Sequence, residues 1–413
     1  MSLLRKSVNS MPDHSNLDPS GSLVEQFLLE PIASGPLDGL SFTVKDNIDI
    51  ASRKTSYGNP TWRDRHPAPQ YNALCVDQLL AAGGHCVGKV VADEFTYSLD
   101  GESQYFGTPR NAKAPNRIPG GSSSGSVASV ANGVSDFSIG TDSGGSIRVP
   151  ASLCGVWGMR PSLHRISEAG VLPFMPSVST VGVIASSHEQ LNSVVRVLLR
   201  SNARPAAPLK RILVLSDAME TADDPVRAAA EVALNEISHR TGVDLQTVSF
   251  AQIVGDDTPL SDCNENALRV LQSLEFQNTV GSWIENNAPE IGTSFSMAYE
   301  NVRHLDRHEA INCLDLCERF FEAIQAVMIS GTVICFPTTP VIAPLKNTLN
   351  SMEAVLDFYG RTMTITAFSG VGRLPEISAP LLTVDGCPVG LSFAAGHYQD
   401  EFLLSAVKKM LGS

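Results

Sequence analysis

Between Gly120 and Ser146 the sequence places seven glycines and nine serines in 27 positions. That mix of small residues and hydroxyls makes tight backbone rather than packed side chains. Three kinds of chemistry could use it. A phosphate cradle would rest on glycine amides, but the lysine of G-x-x-x-x-G-K-[ST] is missing, and so is a G-x-G-x-x-G opening a helix. A nucleophile elbow is matched by Gly121-Ser122-Ser123-Ser124-Gly125, with Ser123 at its centre. It needs a buried strand just before it, and Pro115-Asn116-Arg117-Ile118-Pro119 cannot supply a central strand. The third arrangement pairs two separated serines with a lysine. Ser146 ends the turn Asp142-Ser143-Gly144-Gly145-Ser146, whose N–H groups could converge on one oxygen beside a nucleophilic hydroxyl. A lysine can deprotonate that hydroxyl when burial draws its pKa toward neutrality. Lys45 is the candidate, because it sits among Phe42, Val44 and Ile48 rather than in a run of charges.

These residues need elements to hold them. Residues 39–50 alternate as a strand that carries Lys45 near its end. Residues 71–82 have helical spacing closed by Gly83-Gly84, and 86–91 read as a buried strand, making one αβ unit. Short elements follow at 151–159 and 181–184, with an amphipathic helix at 191–199. Beyond the Pro- and Ala-rich patch 201–210, a strand is expected at 211–215 and a helix at 225–240, started by Asp224 and Pro225. Strand patterns return at 332–336, 377–384 and 389–393, and a helix ends the chain at 400–411. Asp142 and Arg148 are expected to form an ion pair that braces the Gly-Gly turn, because buried charges are kept when paired. Ser123 and Ser124 are expected to hydrogen-bond that region. His164 and His397 have no task in a Ser-Ser-Lys scheme.

The 413 residues carry 43 acidic and 30 basic side chains, a net charge of −13. That balance excludes nucleic acid as the expected partner, since phosphate binding needs clustered Lys and Arg. With 43% hydrophobic residues the chain can build a large core, and no apolar run approaches the ~20 residues of a membrane helix. The eight cysteines are scattered without a C-x-x-C pair and read as reduced thiols of a cytoplasmic protein. Cys313 and Cys317 are four apart, but a metal there would need two more ligands. Residues 1–25 read as a polar leader and 26–413 as a single domain, with 205–325 a variable lobe that shapes the substrate pocket.

The block from Gly120 to Ser152, GGSSSGS followed by IGTDSGGSIRVPAS, resembles the defining stretch of the amidase signature family, with Ser146 24 positions after Ser122. TVKDNID around Lys45, GTPRN at 107–111, FPTTPVIAP at 336–344 and DGCPVGLSF at 385–393 extend the resemblance over about four-fifths of the chain. Within the family, YGNPTW, DEFTYSLDGE and VPASLCGVWGMRPS are similar to short plant-type indole-3-acetamide hydrolases. Two departures stand out: Ser162-Leu163-His164-Arg165 follows the Arg-Pro pair, and Ser179 occupies a position where that subgroup has an acid.

The resemblance implies an α/β fold with a large mixed central β-sheet between layers of helices, and an amidase working without metal or organic cofactor. Ser146 would attack the amide carbon, while Ser122, behind a cis peptide bond, would relay its proton to Lys45. The backbone amides of Ser143, Gly144, Gly145 and Ser146 would hold the oxyanion, and Thr96 would line the acyl side. Water would then resolve the acyl-enzyme. The implied partner is a small primary amide, aromatic or aliphatic, with indole-3-acetamide the specific expectation and a homodimer the open assembly. Three other readings stay in view. One is the glutaminase subunit of a tRNA-dependent amidotransferase, against which length is taken to speak. The others are a non-catalytic amidase-like binding domain, which would typically have lost the triad, and a Ser-His-Asp esterase using Ser123.

Overall fold

The computed structural model describes residues 18–201, 207–305 and 307–412. Among these residues eleven strands form one sheet: β1 (Leu23–Leu29), β2 (Ser41–Lys45), β3 (His85–Val90), β4 (Phe137–Asp142), β5 (Trp157–Arg160), β6 (Thr180–Ala185), β7 (Arg211–Leu215), β8 (Leu245–Val248), β9 (Thr332–Pro337), β10 (Glu376–Val384) and β11 (Cys387–Ala394). Their order is β1-β3-β2-β4-β6-β5-β10-β11-β9-β7-β8. β2 runs parallel to β3 and β4, and β7 runs parallel to β8 and β9. The other pairs are antiparallel, so the sheet is mixed, as expected.

Both faces are covered, and the strand period of two shows it. In β7, Ile212 and Val214 join one core while Leu213 and Leu215 join another. In β9, Val333 and Cys335 alternate in the same way with Ile334 and Phe336. The first core packs helices Leu74–Ala81, His188–Leu198, Asp224–Thr241 and Asp400–Leu411 against the sheet. The opposite face carries helices Ser124–Ala131 and Arg148–Cys154, and beside them a large group spanning residues 250–371. Helix Asp224–Thr241 starts with proline in its first turn and stops at Gly242 in the left-handed conformation, the usual asymmetry of helix ends.

The structure shifts several expected boundaries. β2 stops at Lys45 instead of running to residue 50, because the chain turns at Asp46, whose carboxylate forms a buried ion pair with Lys89 at 2.6 Å. Of the leader expected over 1–25, residues 1–17 lie outside the described residues. From there Asp18 accepts hydrogen bonds from Ser20 and Ser22, and Leu23 already belongs to β1. Residues 211–248 of the expected lobe supply the sheet strands β7 and β8, with helices Ser216–Thr221 and Asp224–Thr241 between them. The rest, from Ser249 to Gly331, is the crossover that joins parallel strands β8 and β9.

Candidate functional site

Lys45 ends β2, an interior strand between β3 and β4. Phe42 and Val44 point into the first core, so Thr43 and Lys45 face the opposite side, where Thr43 Oγ1 meets Ser129 Oγ of helix Ser124–Ala131 at 2.8 Å. Ser122 lies just before that helix, and Ser146 just before helix Arg148–Cys154. Strand parity and two helix starts therefore converge on one point. There Lys45 Nζ donates to Ser122 Oγ at 2.8 Å and to Thr141 Oγ1 at 3.0 Å, and Ser122 Oγ donates to Ser146 Oγ at 3.0 Å. Hydroxyl hydrogens rotate, so the same contacts serve proton movement toward the amine.

Lys45 and Ser122 are fully buried, and Ser146 is 6% exposed. Burial draws the Lys45 amine down to about 7, against the opposing pull of the Asp93 and Asp142 carboxylates. Burial in turn pushes Asp93 up to about 6, reinforced by Asp100 and opposed by hydrogen bonds from Ser98 and Ser124. The amine is thus near the midpoint of its titration at neutral pH, with the uncharged base well populated.

Asp93 braces the serine segment from the other side. Its backbone N–H donates to the Ser122 carbonyl at 3.1 Å, and its carboxylate accepts from Ser124 Oγ at 2.7 Å, from Gly101 N–H at 3.1 Å and from Ser98 Oγ. The Gly121–Ser122 peptide bond is cis. A Cβ on residue 121 would stand 1.9 Å from Asp93 Oδ2, so only glycine fits there.

The turn before Ser146 is held by buried charge. Asp142 accepts from the Gly145 N–H at 3.2 Å and the Ile147 N–H at 3.0 Å, and pairs with Arg148 at 2.8 Å and Arg160 at 3.2 Å. Burial alone would raise the Asp142 carboxyl, but the two guanidinium groups outweigh it and hold it well below the usual carboxylate range. Arg148 also pairs with Glu376 of β10 at 2.7 Å, and Arg160 donates to the Ser143 carbonyl at 3.3 Å. The expected Asp142–Arg148 pair is present; Arg160 and Glu376, remote in sequence, complete it.

Of the residues singled out for the oxyanion, Gly145 has its N–H committed to Asp142, whereas the N–H groups of Ser143, Gly144 and Ser146 have no acceptor among the described residues. Ser143 Oγ meets Ser179 Oγ at 2.5 Å, so the residue found in place of an acid contacts the turn. Thr96 lies in the turn Glu94–Thr96 after β3, buried, with Oγ1 unpartnered. Ser123 Oγ donates to the Thr141 carbonyl and Ser124 Oγ to Asp93, while residues 115–119 form no strand. His397 bonds the Arg373 carbonyl, and His164 is exposed.

Sequence reasoning missed Thr141, Asp93 and Thr366, whose Oγ1 donates to the Gly144 carbonyl at 2.6 Å. Thr141 stands inside the quoted IGTDSGGS stretch and could have been read from it; Thr366 lies 222 residues from its partner and left no local signal. The apolar flank of the Gly144 turn was also missed. A Cβ on Gly144 would lie 3.4 Å from Met363 Cε and 3.9 Å from Leu268 Cδ2.

The family model described as Amidase matches residues 28–254. Amidase 1 of Arabidopsis thaliana is 31% identical, over 94% of this chain and 97% of its own length. A glutamyl-tRNA(Gln) amidotransferase subunit from Halobacterium salinarum is 29% identical, over 93% of this chain and 98% of its own length. Length therefore does not set the chain apart from such proteins, contrary to the sequence reading. A crystal structure of an amidase superposes with a TM-score of 0.78 at 25% identity, over 92% of this chain and 85% of the other. With the family match covering more than half of its residues and the Arabidopsis relative nearly all of them, the chain belongs to the amidase family of amide carbon–nitrogen hydrolases.

Proposed function

We propose that the protein hydrolyses a small primary carboxamide to a carboxylate and ammonia through an acyl-enzyme on Ser146. One observation carries this reading: the unbroken contact chain from a buried Lys45, its amine drawn down to about 7, through Ser122 to Ser146. As Ser146 Oγ attacks the amide carbon, its proton passes to Ser122 and the Ser122 proton to Lys45. The developing oxyanion is held by the N–H groups of Ser143, Gly144 and Ser146, and by that of Gly145 once it leaves Asp142. Lys45 returns the proton through Ser122 to the leaving ammonia. Water, deprotonated along the same path, then releases the acid. Thr96, buried with an unpartnered Oγ1, is the proposed polar contact on the acyl side.

Leu268, Met363 and Val178 lie about the Ser143–Gly144 turn, which favours an apolar acyl group. Leu268 belongs to residues 205–325 and supports the view that this region shapes the pocket. Among candidate amides we favour indole-3-acetamide, on the similarity to the plant-type hydrolases. A cytoplasmic setting and a small-molecule partner go with this reading, from the scattered thiols and the net charge of −13. Ammonia release across a panel of aliphatic and aromatic primary amides tests it, with turnover expected for at least one apolar member. Absence of turnover on every amide, together with fluorophosphonate labelling of a serine other than Ser146, would sink it.

A further inference from the structure

The helix Met352–Val371 touches both halves of the site, and it lies outside the residues 28–254 that match the family model. Toward its N-terminal end, Tyr359 OH donates to Asp100 Oδ2 at 2.7 Å and accepts from the Leu99 N–H at 3.0 Å. The gripped loop in turn holds the segment entering Ser122: the Gly121 N–H donates to the Leu99 carbonyl at 2.9 Å, and the Gly120 N–H to the Asp100 carbonyl at 3.1 Å. Seven residues further along, Thr366 Oγ1 donates to the Gly144 carbonyl at 2.6 Å, inside the turn that ends at Ser146. The Thr366 carbonyl accepts from Arg148 Nη1 at 2.9 Å, tying the helix to the buried charges behind that turn. Residues seven apart share a helix face and are separated by about 10.5 Å along the axis. Met363, between them, presents its methyl group toward Gly144.

We infer that this helix sets the spacing between Ser122 and Ser146, with Tyr359 and Thr366 as positioning residues at its two points of contact. The inference rests on Ser146 being the nucleophile. Ser122 and Ser146 come from segments on separate helix starts, and their 3.0 Å contact is already near the long end for two hydroxyls. A slip of a few tenths of an ångström would break proton transfer without altering the pocket. Freeing either contact removes one of the ties that hold that distance.

The test uses the full chain with Tyr359→Phe, Thr366→Val, the double variant and Thr366→Ser. Two rates are read in each: hydrolysis of a primary amide that the unaltered enzyme turns over, and fluorophosphonate labelling of Ser146. Each single variant is expected to lower kcat and the labelling rate roughly tenfold or more, while KM stays within about twofold, since misplacement acts on the reacting geometry. The double variant should lose less than the product of the single losses, because both contacts serve one distance. Thr366→Ser, which keeps the hydroxyl, should return kcat to within about twofold of the unaltered enzyme. Wild-type kcat and labelling in both single variants, or losses confined to KM or to melting temperature, would overturn the positioning role alone. Label on a different serine in the unaltered enzyme would overturn the nucleophile assignment, and this inference with it.

Discussion

The region from β2 to β5 and the crossover from Ser249 to Gly331 hold their shapes by different forces. In the first, hydroxyls, backbone amides and buried charges meet at fixed distances: Lys45 on Ser122, Asp142 on Arg148 and Arg160, and Asp93 on the segment around Ser122. Directional contacts of this kind tolerate little displacement. In the crossover, aromatic rings dominate. Phe276, Phe295 and Tyr299 pack with centroids 5.7 to 6.0 Å apart, and Tyr97 from the site side joins them at 4.9 Å from Phe276. Two stretches there, Cys263–Leu268 and Gln277–Gly281, wind as π-helix, a form found mostly as short local insertions. Ring contacts have broad optima, so this region can adjust its wall while the polar region keeps its atoms in register. Reaction chemistry should thus depend on the first region and amide selectivity on the second.

The contrast is broken most severely at the nucleophile. Ser146→Ala is expected to cut kcat on the order of 10⁴-fold or more, leaving only what binding and oxyanion contacts supply. The melting temperature should barely move, because the lost hydroxyl bonds only Ser122 among the described residues. Steady-state ammonia assays and calorimetry read the two quantities.

Asp142→Asn attacks the polar frame instead. It leaves Arg148 and Arg160 facing each other in the core with the Glu376 carboxylate alone to balance them. A destabilisation of roughly 3 to 5 kcal/mol is expected in urea unfolding, the range for breaking buried charge sets. No loss would mean that the frame holds without its central acid.

The pH profile comes next. With the Lys45 amine near 7, kcat/KM should be level above that pH and fall as protonation removes the base; below it the loss should approach about tenfold per unit. The Asp93 carboxylate favours the charged amine, so Asp93→Asn should move the acid limb to lower pH. A limb that moves upward, or stays in place, contradicts that sign.

The smallest expected effect lies in the wall. Leu268→Val should change the ratio of kcat/KM for a long over a short acyl amide by about tenfold, the lower end of the range for one methylene. Labelling of Ser146 should proceed at its usual rate. If labelling slows as well, the division of labour between the two regions fails.

Much of the site can be read in the sequence because its chemistry is local. Lys45 follows an alternating strand, and Ser122 and Ser146 bracket one Gly- and Ser-rich run. What stays hidden is long-range. Tyr359, Thr366 and Glu376 reach the site across more than 200 residues, and nothing near them in the chain marks that use. β4 escapes notice for another reason: Gly140 and its serine and threonine neighbours dilute the apolar alternation of Phe137 and Ile139. Only the start of β1, residues 23–25, falls inside the expected leader; as an edge strand it is nowhere fully buried, so its pattern does not mark where the leader ends. The helices from 263 to 303 face an aromatic core through interrupted windings, which blurs the 3.6-residue period by which helices are recognised.

Parallel strands cannot be joined by a hairpin, and a link of about a dozen residues already suffices to bring the chain back. The passage from β8 to β9 is far longer, so most of it answers to no demand of sheet closure. Provided its buried aromatic positions are kept, its length and exposed sequence can change, or be grafted from a relative, while the strand order stays intact. An engineer wanting a new substrate would begin there, exchanging the stretch around Leu268 and leaving the serines and the lysine alone.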